Sequence, residues 1–204
     1  MKLIGSLTSP FVRKIRVQLL EKEIPFQFVP ENVWEEGTKI MDHNPLGKVP
    51  CLILDSGQSV FDSTVISGTL EYMMPTNPLL PTDPHKRALV RTMESLGSGM
   101  NDAAVAILLE HKFHEGEAVS KDWLNRQYSK IHHSLEWLDI RLKTTPGAFL
   151  LEQLSLADIS VGCALMYLDF RRPEIQWRKD LPALAEYADR LAARPSFEGT
   201  RPPV

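Results

Sequence analysis

The chain contains 204 residues, 43% of them hydrophobic, which suits one large domain or two small ones with a full apolar core. Its formal net charge of -3 provides no basic surface field, which argues against nucleic acid or an anionic membrane surface as a partner. No stretch approaches the ~20 consecutive apolar residues that a membrane-spanning helix requires.

The cysteines and histidines indicate a reducing compartment and no metal cofactor. Cys51 and Cys163 lie within apolar sequence, which predicts buried free thiols without a disulfide. The N-terminal stretch MKLIGSLTSP lacks the pattern of a secretory signal, so we expect a cytoplasmic protein. His132 and His133 fall in a helical pattern, where adjacent side chains point about 100° apart, so they are not expected to share a metal ion.

The first part of the chain alternates between strand and helix patterns, which predicts a small mixed sheet with helices packed on it. Two of its short strands are separated by Asp-Ser-Gly-Gln, a sequence typical of a hairpin turn. In chain order we predict a strand at Lys2–Leu7, a helix at Ser9–Lys22, a strand at Phe26–Val29, a weak helix or turn at Thr38–Asp42, strands at Cys51–Leu54 and Ser59–Phe61, and a helix at Ser63–Met74.

The stretch Pro75–Pro84 carries four prolines and cannot form a helix or a central strand. We therefore predict an α/β domain at residues 1–76, a linker at residues 77–84 and an all-α domain at residues 85–204. Two apolar stripes of about five turns each indicate long amphipathic helices after the linker. They are formed by Leu89, Met93, Leu96, Met100, Ala103 and Ile107, and by Leu124, Tyr128, Ile131, Leu135, Leu138 and Leu142.

Glycines and a capping pattern add detail to the helical part. Gly97 and Gly99 interrupt the first stripe, which indicates a close helix approach or a bend. Further helices are predicted at Leu156–Phe170 and Leu181–Ala192. The sequence SLAD at Ser155–Asp158 is a capping box for the first of them, and we interpret it as structural.

Three stretches carry a family resemblance when they are taken together: NPLGKVPCLIL at Asn44–Leu54, FDSTVISGTLEYM at Phe61–Met73 and LSLADIS at Leu154–Ser160. With the two-domain organisation they resemble the cytosolic glutathione S-transferases over nearly the whole chain. The start SPFVRK is most similar to bacterial glutathione-transferase-like proteins and to the omega-type branch, where a cysteine often stands at the position of Ser9.

This resemblance implies a thioredoxin-like N-terminal domain, a helical C-terminal domain and glutathione as a co-substrate. It also implies a homodimer that attaches glutathione to a small electrophile, as in detoxification. A non-catalytic binding or regulatory protein with the same fold is the alternative. A zeta-type isomerase is a further option, but Thr8-Ser9-Pro10 does not reproduce the Ser-Ser-Cys start of that branch.

The bond between Val49 and Pro50 is expected to be trans from the sequence alone, because only about 5% of such bonds are cis in folded proteins. The family resemblance implies a cis bond instead. It further implies that the Val49 backbone pairs with the cysteinyl unit of glutathione as an added strand. A simple turn that enters a strand is the alternative.

The pair Asp62-Ser63 stands at the start of a predicted helix, and Ser63 is predicted to be its N-cap. Free N–H groups at a helix start bind carboxylates. The resemblance implies that Ser63 contacts the carboxylate of the γ-glutamyl unit and that Asp62 faces its amine. A cap without a binding role is the alternative.

Thr8-Ser9-Pro10 precedes the first helix, with Ser9 at the cap and Pro10 in the first turn. The dipole of that helix would stabilise a thiolate by ~0.3–2 kcal/mol, and a donating hydroxyl would add to it. The resemblance leaves Ser9 and Thr8 as candidates for the catalytic hydroxyl, and the Cys-Pro pattern of the omega-type branch favours Ser9. A cap alone is again the alternative.

Two further inferences concern the chemistry at this site. A serine cannot form the mixed disulfide through which thiol-transferases act, so Ser9 argues against disulfide reduction and favours addition or substitution. No sequence motif fixes which residue would contact the glycine carboxylate of glutathione. Lys39 is the candidate, with Trp34 and His43 nearby in sequence, and a solvated lysine is the alternative.

Overall fold

The structure is a computed structural model that describes residues 1–145 and 147–203. The chain divides into two compact units. The first comprises Met1–Pro81 together with the C-terminal segment from Arg194, and the second is Thr82–Ala193. Within the described residues, no helix combines the length and the apolar character needed to cross a membrane.

The first unit contains a four-stranded mixed sheet, as predicted. Strand β1 pairs in parallel with β2 and antiparallel with β3, which pairs antiparallel with β4, so the strand order is β2-β1-β3-β4. Leu3, Leu19 and Leu52 are fully buried in its core. The elements are β1 (Lys2–Gly5), α1 (Pro10–Glu21), β2 (Gln27–Pro30), a 3-10 turn at Ile40–Asp42, β3 (Cys51–Ile53), β4 (Ser59–Val60) and α2 (Ser63–Met73).

The second unit is entirely helical among its described residues, which confirms the predicted fold class. The central helix runs from Leu156 to Arg171 and is buried continuously as far as Leu168. The elements of the second unit are α3 (Pro84–Phe113), α4 (Lys121–Thr144), α5 (Leu156–Arg171), α6 (Trp177–Asp180), α7 (Pro182–Ala192) and 3-10 turns at Gly116–Ala118 and Pro173–Ile175. The shortest elements were not predicted, because they offer too few turns to show a periodic pattern.

The C-terminal segment departs from the predicted division at residues 85–204, because its last part packs with the first unit. The short helix α8 (Pro195–Glu198) lies there against α1. The buried Arg13 donates from Nη2 to the Phe197 carbonyl at 3.0 Å. Arg194 donates from Nε and Nη2 to the two Glu21 carboxylate oxygens, at 2.8 Å each. These partners are more than a hundred residues apart, so no local pattern indicated the contact.

The predicted capping box at the start of α5 is confirmed. The Asp158 side chain accepts from the Ser155 N–H at 2.9 Å, and the Ser155 side chain and the Asp158 backbone complete the motif. The structure adds two contacts that the motif alone does not contain. The Leu150 N–H donates to Asp158 Oδ1 at 2.8 Å, and the Tyr187 hydroxyl donates to the same oxygen at 2.9 Å.

The two glycines of α3 have different surroundings. A Cβ on Gly97 would lie 2.7 Å from the Ser160 carbonyl carbon and from its Oγ, whereas no described residue places an atom within 4 Å of a Cβ on Gly99. The Ser160 hydroxyl donates to the Glu94 carbonyl at 2.7 Å, so α5 is held against α3 at this point. Gly97 therefore permits a close helix approach, one of the two predicted roles.

We expect Gly97→Ala to lower the free energy of unfolding by about 2 kcal/mol, because the new methyl group overlaps backbone that cannot move independently. Gly99→Ala is the matched control and should raise it by up to about 1 kcal/mol, since alanine favours the helix and meets no neighbour there. Urea unfolding of both variants measures the difference. Equal effects of the two substitutions would contradict the close approach.

Candidate functional site

Three stretches that were singled out in the sequence meet at one end of the sheet. In the β1–β3 pairing Ile4 lies opposite Cys51, and in the β3–β4 pairing Leu52 lies opposite Val60. The start of α1, the Val49–Pro50 bond and the start of α2 each adjoin these residues along the chain. Antiparallel pairing therefore brings all three to the same edge of the first unit.

Ser9 is the N-cap of α1, as predicted, and it is half-buried. Its Oγ accepts from the Val12 N–H at 3.4 Å, and its carbonyl accepts from the Arg13 N–H at 3.0 Å. The hydroxyl acts as an acceptor in the cap, so its own proton remains available for donation to another group. Pro10 opens the helix and completes the predicted arrangement.

Thr8 is held differently, by a residue that the sequence did not indicate. Its Oγ1 lies 3.1 Å from Ser6 Oγ, and its N–H donates to the same oxygen at 3.4 Å. The Ser9 N–H donates to the Ser6 carbonyl at 3.2 Å, so the chain turns here and β1 ends at Gly5 rather than at the predicted Leu7. In the Thr8–Ser6 contact either hydroxyl can donate, whereas the Ser9 hydroxyl only accepts within the described residues, so the geometry favours Ser9 as the donor to a ligand.

The peptide bond between Val49 and Pro50 is cis, as the family resemblance implied. Val49 is half-buried and lies just before β3. Among the described residues, neither its N–H nor its carbonyl makes a hydrogen bond. An extended peptide could use both groups.

The start of α2 corrects one prediction. Ser63 is the first residue of the helix, and Asp62 is the N-cap instead. The Asp62 Oδ1 accepts from the N–H groups of Thr64 and Val65, at 2.9 and 3.3 Å. Both Asp and Ser are good caps, and the residue that is still extended when the chain leaves β4 takes the role.

The capping arrangement at the start of α2 leaves one hydrogen-bond donor and one acceptor unused next to each other. Within the part of the chain that the structure describes, Asp62 Oδ2 and the Ser63 N–H have no hydrogen-bond partner. Asp62 is exposed, while Ser63 is buried. An anionic oxygen beside a helix N–H is complementary to the ammonium and carboxylate groups of an α-amino acid.

Lys39 lies immediately before the 3-10 turn at Ile40–Asp42 and is exposed. It makes no ion pair among the described residues. Trp34 is 56% exposed, and His43 is also exposed. The structure therefore leaves Lys39 accessible to solvent and to a ligand.

Both cysteines are buried and free, as predicted. Burial raises the pKa of the Cys51 thiol, although hydrogen bonds that involve Ser59 and Val60 oppose this change. A thiol with a raised pKa is a poor nucleophile at neutral pH. Among the described residues, no group of three or more His, Cys, Asp and Glu side chains could hold a metal ion.

Family models match both units of the chain. The model of the glutathione S-transferase N-terminal domain matches residues 8–72, and that of the C-terminal domain matches residues 121–190. The chain belongs to the glutathione S-transferase family. The prediction made from the three sequence stretches is therefore confirmed at the level of the family.

Individual members of the glutathione S-transferase family are similar to this chain over nearly their whole length. The uncharacterized GST-like protein YibF of Escherichia coli (strain K12) is 39% identical over 203 residues, which cover 100% of this chain and 99% of that protein. A glutathione S-transferase from Methylobacterium radiotolerans, in complex with glutathione sulfonate, is 38% identical with a TM-score of 0.94, covering 100% of this chain and 95% of the other. One from Methylobacillus flagellatus KT, with GSH bound, is 37% identical with a TM-score of 0.93, covering 99% of both chains.

Proposed function

We propose that this protein is a glutathione transferase, which binds glutathione at the end of the sheet and stabilises its thiolate for attack on a small electrophile. The observation that carries the proposal is the Ser9 hydroxyl, which accepts at the cap of α1 and keeps its proton for donation. Membership of the family and the glutathione-bound relatives support glutathione as the ligand.

Each part of glutathione has a counterpart among these residues. The γ-glutamyl amine and carboxylate would meet Asp62 Oδ2 and the Ser63 N–H, which have no partner among the described residues. The cysteinyl backbone would pair with the N–H and carbonyl of Val49 beside the cis Pro50. The exposed Lys39 is the proposed partner of the glycine carboxylate.

The chemistry then follows from the position of the sulfur. The thiol proton leaves to solvent, and the thiolate is stabilised by the dipole of α1 and by a hydrogen bond from Ser9 Oγ. The sulfur lone pair forms a bond to an electrophilic carbon. A leaving group departs with its electron pair, or an activated double bond takes a proton from solvent. Ser9 is not consumed, and the absence of a cysteine at this position favours conjugation over disulfide reduction.

We also propose that two copies associate through the first unit. Val65, Tyr72 and Met73 of α2 are 53%, 89% and 50% exposed, a costly arrangement for an isolated subunit. They line a groove of about 670 Å³ together with residues of β4. Sedimentation should give a homodimer at micromolar concentration, and a monomer there would count against this assembly.

The buried free thiols support a cytoplasmic location, and conjugation supports a role in detoxification.

Calorimetry with glutathione tests the binding proposal. We expect measurable heat at millimolar ligand for the wild type and about tenfold weaker binding for Asp62→Asn. Asparagine also caps helices well, so this substitution keeps α2 and removes only the charge that would face the amine.

Asp83→Asn is the matched control, because Asp83 caps α3 in the same way through the Lys86 N–H at 2.8 Å. Its affinity for glutathione should equal that of the wild type. Absence of heat with the wild type would overturn the proposed function. Equal affinities of the two variants would remove Asp62 from the site while leaving glutathione binding intact.

A further inference from the structure

A group of cationic and phenolic side chains lies where the C-terminal end of α5 meets α4, and the sequence analysis did not identify it as a group. It consists of Arg171, Arg172, Tyr128 and Tyr167, which we call the arginine–tyrosine cluster. All four lie in the helical unit, whereas the residues proposed to bind glutathione lie in the first unit. The cluster is therefore formed by a different set of residues from the glutathione site.

Arg171 has no carboxylate partner among the described residues. Its Nε is buried and makes no hydrogen bond there. Its guanidinium carbon lies 4.1 Å from the centre of the Phe170 ring, so one face of the cation is covered by an aromatic surface. A cation that is partly removed from water and has no carboxylate partner among the described residues is available to an anionic ligand.

Arg172 has one carboxylate partner among the described residues, Glu174, and shares it with the Tyr128 hydroxyl. Its side chain is 11% exposed, and its Nη1 lies 3.6 Å from Glu174 Oε1. The same oxygen accepts from the Tyr128 hydroxyl at 3.0 Å. The Arg172 Nε is buried and makes no hydrogen bond in the described residues. The cluster thus contains two guanidinium groups but only one carboxylate partner among the described residues, so it keeps an uncompensated positive charge.

Both arginines act on the same phenol. Burial raises the pKa of Tyr167, and the charges of Arg171 and Arg172 oppose that change. The Tyr167 phenol therefore stays protonated and can donate at neutral pH. Burial and Glu174 raise the pKa of Tyr128, but its one proton is already donated to Glu174. The cluster therefore offers guanidinium and hydroxyl donors around one region of net positive charge.

A nearby arginine shows how a purely structural arginine is satisfied in this unit. Arg178 donates from Nη2 to Asp169 at 2.7 Å and from Nη1 to Asp189 at 2.8 Å. Its charge is matched by two carboxylates, and these raise its pKa. Arg171 has neither partner, although it stands only two residues after Asp169.

We propose that the arginine–tyrosine cluster binds the carboxylate group of a small organic anion, with Arg171 as its principal partner. A carboxylate matches the planar guanidinium, which can donate two parallel hydrogen bonds to it. The Phe170 ring beneath Arg171 favours an organic anion over a fully hydrated inorganic one. This inference extends beyond glutathione binding, because none of the residues involved contributes to that site.

Benzoate is a suitable probe, with benzamide as its uncharged isostere and sulfate as an inorganic anion. Titrations by calorimetry use the full chain without glutathione, which itself carries carboxylates. We expect benzoate to bind in the millimolar range and benzamide not to bind. Arg171→Met should weaken benzoate at least about tenfold, while Arg171→Lys, which keeps the charge, should retain part of the affinity.

Arg190→Met is the matched control, because Arg190 lies on the same unit but is paired with Glu186 at 2.9 Å. It should bind benzoate as the wild type does. Equal benzoate affinity of Arg171→Met and wild type, or equal binding of benzamide and benzoate, would overturn the proposal. So would the absence of benzoate binding, which would leave Arg171 as a charge at the C-terminal end of α5. Tighter binding of sulfate than of benzoate would overturn the assignment to an organic carboxylate.

Discussion

Replacement of Asp158 by alanine is expected to lower the free energy of unfolding by about 4 kcal/mol, the largest stability effect that the structure indicates. The carboxylate is fully buried and accepts four hydrogen bonds, from the Leu150 N–H, the Ser155 N–H and hydroxyl, and the Tyr187 hydroxyl, at 2.8–2.9 Å. Alanine leaves these donors unpaired and opens a void among them. Urea unfolding, with helix content followed by circular dichroism, measures the loss.

Two milder variants separate the contributions that the Ser155 and Tyr187 hydroxyl groups make to the free energy of unfolding. Ser155→Ala removes the capping hydroxyl and should cost about 1 kcal/mol. Tyr187→Phe removes one donor from a fully buried ring and should cost about 1–2 kcal/mol. If Asp158→Ala costs no more than Ser155→Ala, the carboxylate is only a helix cap, and its link between α5, α7 and the preceding loop is unimportant.

The pH dependence of this effect has a definite sign. Burial raises the pKa of Asp158 and outweighs the hydrogen bonds that lower it. The folded state therefore holds this proton more tightly than the unfolded state, in which the pKa is about 3.9. The proton-linked stability is fully present below that value and is lost as the pH rises through the folded-state pKa. The free energy of unfolding of the wild type should therefore fall relative to that of Asp158→Asn as the pH rises over that range. A rise with pH would contradict the direction.

Replacement of Ser9 by alanine is expected to lower kcat for glutathione conjugation to a chlorodinitrobenzene by about a hundredfold. The removed hydroxyl is the donor proposed to stabilise the thiolate, so the pKa of bound glutathione should rise. Ultraviolet absorbance of the bound thiolate between pH 5 and 9 measures that change directly. The loss of the cap should also cost about 1 kcal/mol of stability, which unfolding curves record separately.

Thr8→Ala is the matched control, one residue away and also a hydroxyl deletion. Its hydroxyl is already paired with Ser6 at 3.1 Å, so we expect activity within about threefold of the wild type. Equal loss in the two variants would refute the assignment of Ser9. Glutathione binding without turnover in wild type and Ser9→Ala would instead support the non-catalytic alternative.

The helices and the sheet were largely predictable because their signals are local. Apolar residues at helical spacing predicted α3 and α4, and the SLAD sequence predicted the start of α5 within one turn. The family resemblance supplied the cis bond at Val49–Pro50, which the residues alone would have left trans. The shift of the α2 cap from Ser63 to Asp62 was not predictable, since both residues are good caps and the path of the chain out of β4 decides between them.

The sequence by itself determined the class of the longer elements, the two-part organisation, the family, and Ser9 as a capping hydroxyl before the first helix. These depend on residues within a few positions of one another, whose spacing sets which side chains share a face or reach a backbone N–H. The tertiary structure alone decided that the Tyr187 hydroxyl donates to Asp158, that the C-terminal segment packs on α1, and that Arg171 has no carboxylate partner among the described residues. Such contacts join residues that are distant in the chain. The lack of a carboxylate beside Arg171 is likewise set by how the helices pack, so no local pattern shows it.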